Sequence, residues 1–208
     1  EKLVYALKAM TEFEIENVLN LACAMKHELT NTEIGLIFDQ KQQMIKKAGI
    51  LEMIQQKEAI TDIGGLENLK SWLNRKKKVF SNLDEARKFG VDMPKGVLIA
   101  GIPGCGKSLS AKATASLFEL PLLRLDMGRL LGKYVGESEA NMRKAIRLAE
   151  ATSPCVLWID ELEKAFAGIG GDGSGAEVTT RLFGSFLTWL QEKESPVFVV
   201  ATANDITK

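Results

Sequence analysis

Eight consecutive residues, Gly101-Ile102-Pro103-Gly104-Cys105-Gly106-Lys107-Ser108, fill the pattern G-x-x-x-x-G-K-[ST]. Its glycines let backbone N–H groups turn inward around phosphate oxygens, and the N-terminus of a following helix adds a favourable dipole. Pro103 and Cys105 complete the loop, and Leu109 follows on the first helical turn. Lys107 is placed to reach the β- and γ-phosphates of a nucleotide, and Ser108 to ligate Mg²⁺. A second constellation is Val156-Leu157-Trp158-Ile159-Asp160-Glu161. Its apolar residues predict a buried strand whose carboxyl end carries two acids, where α/β sheets bind ligands. Asp160 suits the metal shell, and Glu161 suits polarising an attacking water. Cys105, between the two later glycines, differs in setting from Cys23 and Cys155, which read as small buried apolar residues.

Such groups need a scaffold. From Pro94 onward, apolar runs at 97–100, 121–126, 156–160 and 197–202 suit buried parallel strands. Helical patterns near 107–118, 137–151 and 177–192 lie between them, and the β-α-β-α-β-α-β order predicts a three-layer α/β/α domain with a parallel sheet. A helix over about 66–80 precedes this domain and carries Arg75-Lys76-Lys77-Lys78, read as a solvated face. Residues 1–58 show apolar residues at helical spacing and predict a small helical unit, which divides the chain into 1–58 and 59–208. The glycine tract 168–175 reads as a loop.

Composition narrows the function classes. Lys+Arg and Asp+Glu both total 27, so no global charge draws the chain to nucleic acid or to an anionic membrane. One histidine and three widely spaced cysteines argue against a Cys/His zinc site. No apolar stretch approaches the ~20 residues of a membrane span, and no signal-peptide pattern opens the chain, so a cytoplasmic setting is expected. Glu1 in place of Met and the apolar run near Lys208 read as cuts in a longer protein.

Taken together, Gly101–Ser108, Asp160-Glu161 and Thr61-Asp62-Ile63-Gly64-Gly65-Leu66 resemble the motifs of the AAA+ ATPases, within the P-loop NTPase fold. The resemblance covers about residues 60–208. It implies ATP and Mg²⁺ as ligands, ATP hydrolysis, and a homo-hexameric ring that remodels or threads a protein substrate. It also implies that Asp62, Ile63 and Gly64 line the adenine pocket. Ala201-Thr202-Ala203-Asn204 resembles the first sensor, which would place Asn204 between water and γ-phosphate. Lys133-Tyr134-Val135-Gly136 resembles the first pore loop, with Tyr134 and Val135 against polypeptide. Within the family, Phe183–Lys193 is similar to the ATPase encoded in many chloroplast genomes and in cyanobacteria. That likeness implies a preceding degenerate module, with residues 1–58 as its lid, and a stromal setting for a chloroplast-encoded chain. A nucleotide-switched scaffold without threading remains the alternative. Trp158 departs from the usual small or aliphatic residue of its strand. Arg143, Arg147 and Arg181 are the cationic candidates at a subunit boundary, each read first as a helix-surface ion-pair residue.

Overall fold

The structure, a computed structural model, describes residues 15, 16, 20, 42, 43, 45, 46, 49–54, 58–130, 137–166 and 174–204. Its sheet has five strands, β1 (Leu51–Ile54), β2 (Gly96–Ala100), β3 (Leu122–Asp126), β4 (Cys155–Asp160) and β5 (Val197–Ala203), in the order β1-β3-β4-β5-β2. β2 to β5 are mutually parallel, and β1 pairs antiparallel with β3. The four parallel strands coincide with the apolar runs in the sequence; β4 and β5, covered on both faces, bury nearly every side chain, while β2 at the sheet edge stays partly exposed. β5 is buried along its whole length.

The helices are α1 (Glu67–Ser81), α2 (Leu83–Lys88), α3 (Lys107–Phe118), α4 (Met127–Leu130), α5 (Glu137–Thr152), α6 (Glu163–Phe166) and α7 (Ser174–Glu192) among the described residues. On one sheet face, Leu73 and Phe80 of α1 and Ala111, Ala115 and Phe118 of α3 pack on Leu122, Val156, Trp158, Phe198 and Val200. Phe198 anchors this layer, its ring 5.1 Å from Phe118 and 5.8 Å from Phe80. On the opposite face, Met142, Ala145 and Ala149 of α5 and Leu182 and Phe186 of α7 cover Leu123, Leu125, Leu157, Ile159 and Val199. Each layer thus has an apolar centre, and the acids Asp160 and Glu161 stand at and just past the carboxyl end of β4.

β1 falls on the helical side of the boundary expected after residue 58, yet it is hydrogen-bonded into this sheet. Leu51 and Met53 alternate with Glu52 over only four residues, too short a period-two signal to stand out beside a helical pattern. At Gly96 the chain passes so close to β5 that a Cβ would lie 2.2 Å from the Val199 carbonyl oxygen. Among the described residues no helix is long and apolar enough to cross a membrane.

Candidate active site

β2 ends at Ala100, and the next residues cannot continue it: Gly104 and Gly106 take φ of +84° and +89°, in the left-handed region that favours glycine. This turn delivers Lys107 to the first turn of α3. The loop base is tied to the sheet by Gly101 N–H donating to Ala203 O at 3.1 Å. Lys107 Nζ donates to two loop carbonyls, Gly101 O at 2.6 Å and Ile102 O at 2.8 Å.

β5 lies between β2 and β4, so the ends of all three strands open onto one cleft. Its volume is about 540 Å³, and its walls are Pro103, Gly104, Gly106, Lys107, Ser108 and Leu109 of the loop and helix start, Asp160 and Glu161, and Thr202, Ala203 and Asn204. Seven expected residues outside the glycines thus share one cavity: Pro103, Lys107, Ser108, Leu109, Asp160, Glu161 and Asn204. Gly101 and Cys105 are not in its wall, and the Cys105 thiol sits against Gly101, where an added Cβ would meet Sγ at 2.9 Å.

Asp62, Ile63 and Gly64 are also outside that wall. Asp62 Oδ2 accepts the Ala59 N–H at 2.7 Å and closes a short 3₁₀ turn over Ile60–Asp62, while Ile63 is buried. Glu58 pairs with Lys112 of α3 at 2.8 Å, which fastens this segment to the helix that follows the loop. Tyr134 and Val135 lie outside the described residues.

Asp160 is held at both oxygens. Arg124 of β3 donates to Oδ2 at 2.7 Å, and the Thr202 hydroxyl donates to Oδ1 at 3.0 Å. Thr202 in turn accepts the indole N–H of Trp158 at 3.1 Å. Trp158 also supports the Arg124 guanidinium, 5.1 Å from its ring centroid. The sequence reading assigned roles to neither Arg124 nor Thr202. The available signal was a basic residue and an indole interrupting apolar strands, but their meeting depends on the β3–β4 register that places Arg124 beside Trp158.

Glu161 leaves β4 with φ of +55°, a strained left-handed conformation for a non-glycine residue, while Leu162 N–H donates to Thr202 O at 2.9 Å. Its carboxylate pairs with Lys164, and that hydrogen bond raises the Lys164 pKa above the ordinary lysine value. Asn204 donates its amide N–H to Glu163 Oε1. Arg143 pairs with Glu139 at 3.6 Å one turn away, as expected for a helix-surface residue.

Ser108 and Asp160 bring a hydroxyl and a carboxylate to the same cleft, hard oxygen donors of the kind Mg²⁺ takes together with phosphate and water. The donor set therefore fits that ion.

Comparison with known proteins follows the same lines. Residues 97–208 match the model of the ATPase family associated with various cellular activities (AAA), and residues 1–48 match that of the SpoVK-like AAA ATPase, second domain. The chain is similar to the uncharacterized AAA domain-containing protein ycf46 of Guillardia theta, 48% identical over 206 residues that cover 99% of this chain and 40% of that protein. The namesake from Pyropia yezoensis is 46% identical over 92% of the chain and 38% of its own length. That from Trieres chinensis is 42% identical over 99% of the chain and 41% of its own length. The chain thus spans about two fifths of the length of these relatives. The phosphate-loop architecture and the match over 97–208 agree: this chain belongs to the AAA family of ATPases.

Proposed function

We propose that the cleft binds ATP with Mg²⁺ and hydrolyses the terminal phosphoanhydride. One observation carries the reading: Lys107 and Ser108, Asp160 and Glu161, and Asn204, from three separate strand ends, line a single cavity. Loop N–H groups and the Lys107 ammonium hold the phosphates, once Nζ exchanges the Gly101 and Ile102 carbonyls for phosphate oxygens. Ser108 and Asp160 hold Mg²⁺, whose charge offsets that developing on the phosphates. Glu161, released from Lys164, accepts a proton as the water oxygen bonds to the γ-phosphorus and the bond to the β-phosphate oxygen breaks. Asn204 orients that water. Asp62, Ile63 and Gly64, outside the wall of the phosphate cleft, line the adenine pocket, and Cys105 shapes the loop from behind.

In the whole protein this hydrolysis drives a homo-hexameric ring that remodels or threads a protein substrate, with Tyr134 and Val135 gripping polypeptide. Family membership supports this reading, and the setting is the cytoplasm or a plastid stroma. The match of residues 1–48 to a second-domain model supports a lid from a preceding module, ending before β1. Nucleic acid is not part of the reading, given balanced charge. Glu161→Gln tests the chemistry: it should retain nucleotide while turnover falls ~100-fold or more, within the range of general-base losses. Unchanged turnover would place the base elsewhere.

A further inference from the structure

The polar side chains on the α3 side of the sheet form a line that crosses it. Glu52 of β1 and Arg124 of β3 are register partners, with 4.0 Å between their charged groups. Arg124 then reaches Asp160 of β4, and Asp160 reaches Thr202 of β5. The Arg124–Asp160 pair differs from a surface ion pair, because Asp160 is only 16% exposed and the guanidinium rests on the buried Trp158 ring. Partial burial weakens solvent screening, so the cation cancels much of the field that Asp160 would send into the cleft.

We propose that Arg124 is the charge-compensating partner of Asp160, and that it allows the cleft to accept nucleotide phosphates before the metal arrives. The inference rests on the ATP·Mg²⁺ reading above. A bare carboxylate beside Lys107 and Ser108 repels a polyphosphate; the same carboxylate paired with a guanidinium does not. Once Mg²⁺ is bound, it neutralises Asp160 itself, and Arg124 becomes nearly dispensable for affinity. Arg124 therefore sets how strongly nucleotide binding depends on Mg²⁺.

The test is the dissociation constant of a non-hydrolysable fluorescent ATP analogue, measured with excess Mg²⁺ and with EDTA. Arg124→Met should weaken binding about tenfold in EDTA and less than about threefold in Mg²⁺, the scale of a charge partner a few ångströms away. Arg124→Lys, which keeps the charge, should restore the EDTA affinity. Asp160→Asn alone leaves the cation opposed only by the more exposed and more distant Glu52 and should bind about tenfold tighter in EDTA, whereas Arg124→Met with Asp160→Asn should return to the wild-type value. The double variant replaces both members of the pair, a change partly buried ion pairs tolerate, so it serves even if Arg124→Met alone does not fold. Equal weakening of Arg124→Met with and without Mg²⁺ would make Arg124 a structural strap and overturn the proposal. So would a double variant as tight as Asp160→Asn. Wild-type protein that binds no analogue at all would instead reject the nucleotide reading.

Discussion

Thr202→Val removes one oxygen from the buried centre of the site. Thr202 is 1% exposed and Trp158 4% exposed, so water does not replace the lost partner freely. In the native protein the hydroxyl accepts the indole N–H at 3.1 Å and donates to Asp160 Oδ1 at 3.0 Å, with the Ile159 carbonyl at 3.3 Å as the weaker acceptor. Valine fills nearly the same volume, so the loss is polar. A stranded buried indole N–H costs ~1–3 kcal/mol, and the bond to a charged acceptor adds ~1.5–3 kcal/mol. Asp160 stays within reach of water in the cleft, which recovers part of the second contribution. The predicted loss is ~3 kcal/mol in urea unfolding at neutral pH. Trp158→Phe alone should cost ~1–3 kcal/mol through lost packing. The double variant has no indole N–H to strand, so it should lose less than the sum of the single changes by ~1 kcal/mol or more. Thr202→Val within ~0.5 kcal/mol of wild type, or additivity within that margin, would refute the chain from Trp158 to Asp160.

Gly96→Ala should lower stability by ~1–3 kcal/mol, read as a fall in Tm, because its Cβ would meet the Val199 carbonyl oxygen at 2.2 Å and force β2 from β5. Lys193 is buried, and burial, followed by the nearby Lys95, lowers its pKa from 10.5 to about 8. Below pH 8 both folded and unfolded chains carry this proton and the fold bears the full cost of the buried charge. As pH rises from 8 to 10.5 the folded chain releases it first, so this group's contribution should increase by at most ~3 kcal/mol. Denaturation midpoints over that range should show the rise, and Lys193→Met should remove it.

The phosphate loop was legible because its geometry is local: two glycines with positive φ between a strand and a helix need no knowledge of the rest of the chain. The strands β4 and β5 were legible because near-complete burial leaves continuous apolar runs, and β2 and β3, only partly buried, still carry short apolar runs. β1 was not, since it earns its place by pairing with Leu122–Leu125, far along the chain. The Arg124–Asp160–Thr202–Trp158 network was hidden for a related reason: three strands supply it, and only their order β3-β4-β5 and registers bring the side chains together. Trp158, a departure from the family pattern in sequence, becomes in the structure the residue that fixes Thr202 and underlies Arg124. Motif resemblance marks Asp62–Gly64 for the adenine pocket, and these residues lie outside the wall of the cleft that Lys107 and Asp160 line.

The central claim, that the cleft at the strand ends is a nucleotide site, is tested most directly by equilibrium titration with a fluorescent ATP analogue and Mg²⁺. Wild-type protein should show one saturable site. Lys107→Ala, folded by circular dichroism, should lose affinity ~100-fold, the scale of charge-assisted bonds to two phosphates. Wild-type affinity in Lys107→Ala, or absence of saturable binding to the wild-type protein, would contradict the account.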